Sequence, residues 1–234
     1  MPDRPYTLLS CCVSLDGYLD DAGPERLVLS PAADLERVDA ERAGCDAILV
    51  GAETVRHDDP RLLVRSEVCR AARRARGWPA TPLRVTVTAS GELDPRARIF
   101  TEPGSGTLVY APASVVGPLA TRLGDAATVV DAGSAVDLGW VLADLDARGV
   151  RRLLVEGGRR VLTQLLVSGL ADELQLAVAP VFVGDPRAPR FVDAGVFPHS
   201  APNRAHLTEV RQVGDAALLC YALTDRCRVT AEER

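Results

Sequence analysis

Glu156, Gly157 and Gly158 lie in the run V-E-G-G-R-R-V-L-T-Q-L-L, which joins a carboxylate and two glycines at the point where an apolar strand passes into a helix. Leu153, Leu154 and Val155 suit a buried strand, and the glycines let the backbone bend and approach a ligand closely. Apolar residues at Val161, Leu165 and Leu166 have helical spacing, so the first free N–H groups point back at the strand end. A helix N-terminus is an anion site. Glu156 does not suit a phosphate; it fits an amine-bearing or hydroxyl-bearing ligand placed beside one. Two ligands side by side suggest a redox enzyme. A bare glycine pair reads equally as a tight strand-to-helix turn. The acidic residue favours the ligand, because a strand-end Glu in a crevice costs solvation free energy unless a partner offsets it.

A second constellation, T-V-R-H-D-D-P-R-L-L-V-R from Thr54 to Arg65, follows a short buried strand that ends at Gly51. Loops at strand ends are where α/β folds place ligands, although the same polar run reads as an ordinary surface loop. The S-L-D-G turn at Ser14 to Gly17 needs no function. All 27 basic residues are Arg, which excludes lysine Schiff-base and lysine general-acid chemistry. Anionic groups must be met by guanidinium, a bidentate partner for phosphate, and a compositional bias towards Arg accounts for the same fact. His57, His199 and His206 lack metal-ligand spacing, and the six cysteines form no C-x-x-C pair. Neither a metal nor a disulfide is expected, and the thiols read as small hydrophobes.

The elements that must position these residues follow from periodicity. Strands are expected at Tyr6–Val13, Asp46–Gly51, Leu83–Thr88, Thr107–Tyr110, Ala127–Val130 and Arg151–Val155. Helices are expected at Pro31–Ala43 after an N-capping Ser30, at Ser114–Leu123, at Val136–Arg148 and at Gly158–Ser168. Three strands then follow, Asp172–Val183, Ala205–Val213 and Ala216–Leu223, the last two joined by a Gly214-Asp215 hairpin turn. This order predicts an α/β fold with a mostly parallel central sheet flanked by helices and antiparallel C-terminal edge strands. One domain over 1–224 with a fraying polar tail over 225–234 is expected.

The net charge of −5 without a basic patch argues against nucleic acid, and Arg70, Arg73, Arg74 and Arg76 read as a solvated helix face. No apolar run approaches the roughly 20 residues that cross a bilayer, and no cationic-then-apolar segment opens the chain, so a cytoplasmic protein is expected.

Five segments occur in one order: S-L-D-G, D-A-I-L-V-G at Asp46–Gly51, T-x-x-x-D-D-P-x-L-x-V-R at Thr54–Arg65, V-E-G-G at Val155–Gly158, and L-x-D-E at Leu170–Glu173. From Tyr6 to Leu223 the chain resembles the pyrimidine reductases of riboflavin biosynthesis, the reductase part of the bifunctional deaminase-reductase and its free-standing relatives, with a dihydrofolate-reductase-like fold. The resemblance implies NADPH-dependent reduction of a ribosylamino-pyrimidine 5′-phosphate, with hydride delivered to the sugar C1′ and the ribose opened to a ribityl chain. It implies that Thr54 and Asp58 contact the nicotinamide cofactor and that Arg42, Leu62, Arg65 and Glu156 bind substrate. Gly157, Gly158, Arg159, Arg160, Val161 and Leu162, in the stretch that runs on to Gln164, are implied to cradle the cofactor pyrophosphate. Asp58 is the expected acid or water-positioning group, with neighbouring Asp59 supplying a negative charge. Arg42 and Arg65 are the expected phosphate clamp. A homodimer is expected, the apolar strand Leu174–Val183 being suited to pairing or, alternatively, to a buried central position.

The chain departs from the pattern of the bifunctional enzymes at several positions. Ser10 stands where they carry a Lys, which points towards the free-standing relatives. Leu27 replaces a Trp that packs on the cofactor. Thr88-Ala89 replaces a D-S pair, leaving Ser90 as the substitute cofactor contact. No H-x-E with P-C-x-x-C occurs, so reduction alone is expected. A pterin, folate or specialised-metabolite reductase on the same fold, or a catalytically silent nucleotide-binding homologue, are the competing readings.

Overall fold

A computed structural model describes residues 3–227. The chain runs β1 (Tyr6–Ser14), α1 (Ala32–Ala43), β2 (Ala47–Gly51), α2 (Ala52–Asp58), α3 (Glu67–Ala75), β3 (Leu83–Val87), α4 (Arg98–Thr101), β4 (Thr107–Ala111) and α5 (Ala113–Leu123). It continues through β5 (Thr128–Asp131), α6 (Leu138–Ala147), β6 (Arg152–Gly157), α7 (Arg159–Val167), β7 (Glu173–Ala179), β8 (His206–Val213) and β9 (Ala216–Ala222). Nine strands hydrogen-bond in the order β5-β4-β3-β2-β6-β1-β7-β9-β8. The pairs β2/β3, β3/β4, β4/β5 and β1/β7 are parallel, whereas β7/β9 and β9/β8 are antiparallel. This is the mixed α/β sheet that the element order predicts.

The described residues form two compact units, one from Asp39–Leu154 with the residues before Tyr6, the other from Tyr6–Val38 with the residues from Val155 on. In the first, β2 and β4 are buried along their whole length, as their unbroken apolar runs require, and Leu119, Leu142 and Leu145 pack from the helices with at most 1% exposure. Asp46 closes the start of β2: its carboxylate accepts the N–H groups of Arg151 and Arg152, both at 2.8 Å, and its own N–H donates to the Arg152 carbonyl. In the second unit Ala177, Val213, Leu218 and Cys220 form a core against which Cys12 and Ala33 pack. Gly214 makes the β8/β9 turn at φ +63°, where a Cβ would also lie 3.2 Å from Pro31.

Four sequence expectations are corrected. The Thr54–Arg65 stretch is not all loop, because its first residues belong to α2, with Ala52 and Val55 buried. The strand expected over Asp172–Val183 stops at Ala179, since Pro180 has no N–H to continue the ladder. Arg73 is not on a solvated face: it is 3% exposed, donates to the carbonyls of Pro79, Ala43 and Cys45, and lies 5.3 Å from the Trp78 ring centre. Pro31, rather than Ser30, takes the first helical hydrogen bonds of α1, from Asp34 and Leu35. Cys45 and Cys220 fit the reading as small hydrophobes: both are buried, and burial pushes their thiols up to about 12. Of the expected fraying tail, Cys227 is buried and Arg226 pairs with Asp172, while positions after 227 lie outside the described residues.

Candidate functional site

In the second unit, half-buried Glu156 is the second-to-last residue of β6, which ends on Gly157 at φ +139° and passes through Gly158 at φ +89° into α7. A Cβ at Gly157 would meet nothing within 4 Å, so glycine is demanded there by backbone conformation rather than by crowding. No side chain caps α7, and its first intrahelical bond to Gly158 comes from Leu162 at 3.0 Å. The amides before Leu162 in this first turn are therefore the donors an anion requires. Val161 and Leu162 are buried, so their contribution to such a site is through the backbone. Arg159 pairs with Asp193 at 3.3 Å, and Thr163 links the Arg159 carbonyl to the Asp193 N–H. Arg160 is exposed. These features fit a dinucleotide pyrophosphate.

The S-L-D-G turn of the same unit is a structural latch. Asp16 accepts the Ser14 hydroxyl at 2.6 Å and the N–H groups of Val183 and Gly184 at 3.1 and 2.7 Å. The Ser14 hydroxyl, followed by those amides, holds the Asp16 carboxyl down at about 2. The turn thereby pins the segment after β7. A groove of about 420 Å³ opens beside that segment, lined in part by Leu27, Ser30, Pro31, Pro180 and Phe182.

In the first unit, Thr54 and Asp58 both lie on α2, half-buried, with Asp58 its last residue. The helix stops because Asp59 turns left-handed at φ +42° and Pro60 follows. Asp59 does not supply Asp58 with an unbalanced charge: its carboxylate accepts the Arg98 N–H at 2.7 Å and pairs with the Arg98 guanidinium at 3.0 Å. Leu62 is also left-handed, at φ +50°, and only 1% exposed. A buried branched residue in that region stores backbone strain, which concentrates at functional segments. Ser90 is exposed after β3, its hydroxyl accepting the Glu92 N–H at 3.3 Å.

The structure brings Arg42 and Arg65 to one short stretch of chain. Arg42 donates to the Leu63 carbonyl at 2.9 Å, and the Arg65 side chain is 55% exposed. Asp39, which sequence reasoning missed, holds the same stretch. The carboxylate of this buried residue takes the N–H of Arg65 at 2.6 Å and that of Ser66 at 2.8 Å. The available signal was its position one helical turn before Arg42, on the same face of α1.

The fold is that of a known reductase class. The diaminohydroxyphosphoribosylaminopyrimidine deaminase/5-amino-6-(5-phosphoribosylamino)uracil reductase of Thermotoga maritima superposes with a TM-score of 0.75 at 22% identity, over 94% of this chain and 56% of that one. The RibD C-terminal domain family matches residues 5–219, and the chain belongs to that family. It is 33% identical to the 2,5-diamino-6-ribosylamino-4(3H)-pyrimidinone 5′-phosphate reductase of Archaeoglobus fulgidus, over 95% of this chain and 98% of the relative. It is also 33% identical to the reductase of the same name from Methanothermobacter thermautotrophicus, over 94% of this chain and 99% of the relative. The resemblance carried by the five sequence segments is thereby shown. Among the described residues, no helix is long and apolar enough to cross a membrane.

Proposed function

We propose that the chain reduces 2,5-diamino-6-ribosylamino-4(3H)-pyrimidinone 5′-phosphate to its ribitylamino form, with NADPH as reductant, in riboflavin biosynthesis. The observation that carries this reading is the near full-length correspondence with two archaeal reductases of that name, which favours the pyrimidine that still bears its second amino group. Bound NADPH supplies a hydride, the two-electron chemistry no side chain of this protein can perform.

The protein's own residues bind, orient and move a proton. The amides of Arg159, Arg160 and Val161 and the Gly157-Gly158 bend hold the cofactor pyrophosphate, with Leu162 fixing the first helical bond. Thr54 and Ser90 bind the cofactor through their hydroxyls. Because Arg159 is engaged with Asp193, Arg160 is the cation assigned to a 2′-phosphate. Arg42 and Arg65 bind the substrate phosphate, Leu62 shapes the wall of the sugar site, and Glu156 accepts hydrogen bonds from substrate amine or hydroxyl groups. Asp58 contacts the cofactor and donates the proton that the ribose ring oxygen takes up as the ring opens.

Purified protein mixed with NADPH and each of the two pyrimidine phosphates tests this directly, by following loss of reduced-nicotinamide absorbance. Oxidation is expected with the diamino substrate in preference to its deaminated counterpart. Turnover of neither, or turnover of a pterin or folate instead, would overturn the assignment.

The same reading makes the protein a homodimer. The segment Leu174–Val183, whose strand portion is β7, cannot supply the pairing edge, because β7 runs between β1 and β9. β8 is the terminal strand, its residues from His206 to Gln212 are exposed, and Leu207 and Val210 present apolar side chains at 46% and 63% exposure. Sedimentation is expected to give a dimer for the native chain and a monomer for Val210→Glu. A native chain that sediments as a monomer would refute the pairing.

A further inference from the structure

Two guanidinium groups assembled on one phosphate repel each other until the phosphate arrives, and each loses side-chain entropy when it is fixed. A site of this kind needs something to hold its cations in place and to offset their charge beforehand. Within the first unit one buried group has the geometry to do both. The Asp39 carboxylate accepts the Arg65 and Ser66 N–H groups with separate oxygens, at 2.6 and 2.8 Å, and lies 3.8 Å from the Arg65 Nε. It therefore fixes the peptide that carries Arg65, whose side chain is 55% exposed. The other end of the peptide is held as well, since the Arg65 carbonyl accepts Arg70 Nη1 at 2.9 Å, and Ser66 caps α3 through the Cys69 N–H. One turn further along α1, Arg42 holds the Leu63 carbonyl.

We propose that Asp39 is a positioning residue for phosphate binding: by bridging the backbone of Arg65 and Ser66 to α1 it presets Arg65 beside Arg42, so that a sugar-phosphate monoester meets a formed anion site. The proposal rests on the reading of Arg42 and Arg65 as the phosphate clamp. Asp39 itself does not touch the substrate. Its negative charge counts against the phosphate, so its contribution lies in order rather than in attraction.

The test uses Asp39→Ala and Asp39→Asn, each alone and combined with Arg65→Ala, assayed with the phosphorylated pyrimidine and with its dephosphorylated nucleoside. Loss of two charge-assisted hydrogen bonds is expected to raise KM for the phosphorylated substrate about tenfold or more in Asp39→Ala. Turnover number and KM for NADPH stay near the native values, and kcat/KM for the nucleoside does not change. Asp39→Asn keeps the volume and one accepting oxygen, so it falls between, and it carries the test should the alanine variant not fold. In the Arg65→Ala background the Asp39 substitution is expected to add less than about a further twofold, because coupled residues are not additive. An equal loss on both substrates, or a full Asp39 penalty that persists without the Arg65 side chain, would show a merely structural role and overturn the proposal.

Ribose 5-phosphate binding, measured by calorimetry without turnover, separates this proposal from the reaction assignment. If the native chain reduces no pyrimidine yet binds ribose 5-phosphate, the reaction reading falls. Weakening of about tenfold in Asp39→Ala then still upholds the positioning role. Unchanged affinity in that variant, or no binding by the native chain, overturns it.

Discussion

Replacing Asp58 by Asn is expected to lower kcat with the phosphorylated pyrimidine by roughly 100- to 10,000-fold, the range lost when a positioned general acid is removed. The amide has the shape and hydrogen-bonding reach of the carboxyl but no proton to transfer, so KM for both ligands is expected to stay close to native. The location supports this assignment. Asp58 is the last residue of α2, where the helix is broken by left-handed Asp59 and by Pro60, so it stands at a helix end rather than within a helical face. Asp59, next in sequence, is committed to Arg98. Asp59→Asn should therefore affect the order of the segment more than the chemical step. Single-turnover measurements, which isolate the chemical step from product release, are the appropriate readout. A rate for Asp58→Asn within about threefold of native would remove Asp58 from the chemistry.

The second large effect is on stability. Asp172→Ala is expected to destabilise the protein by about 3–5 kcal/mol, the cost of breaking a buried charged network by deleting one member. The carboxylate is completely buried. It accepts the Thr7 N–H at 2.9 Å, the Thr224 hydroxyl at 2.6 Å and the Arg226 guanidinium at 3.2 Å. Its backbone adds a donation to the Thr7 carbonyl and accepts the Leu223 N–H. One residue thus joins the beginning of β1, the beginning of β7 and the end of β9, and its loss leaves buried donors without acceptors. For a chain of this size the change corresponds to a fall in Tm of roughly 6–20 °C, measurable by calorimetry. Asp172→Asn retains one acceptor but turns an N–H toward a donor, so an intermediate fall is expected. A Tm unchanged by Asp172→Ala would contradict the network account.

The L-x-D-E segment that helped to mark the family therefore serves the fold. Its Asp is this anchor, and Glu173 accepts the Tyr6 hydroxyl and the Gln175 amide at 2.7 and 2.9 Å. Sequence periodicity captured the strands well where burial is two-sided, as in Ala47–Gly51, because an unbroken apolar run has few other uses. The Glu156-Gly157-Gly158 bend was legible for a similar reason: positive φ at consecutive positions is open to few residues besides glycine. The helix α2 was hidden. It is only seven residues long, it contains β-branched Thr54 and Val55, and it buries just Ala52 and Val55, too little to register as a helical period. The buried Arg73 was hidden in a different way, since two of its carbonyl partners, Ala43 and Cys45, are about 30 positions away in sequence. Asp39 belongs with it. Its acceptor role depends on the backbone amides of Arg65 and Ser66, which carry no signature in a string of side chains.

The Asp16 latch has a consequence for how acid titrations of this enzyme will read. A carboxyl held at about 2 in the folded protein, against about 4 for a free aspartate, contributes its stabilisation in full above the higher value and surrenders it only as the solution is acidified through the lower one. Between pH 5 and 9 the latch carries a constant charge and stays shut. Any inflection of catalytic rate in that interval therefore belongs to groups elsewhere in the protein or on the ligands, and kinetic titration there can be assigned without a contribution from the Ser14–Asp16 turn.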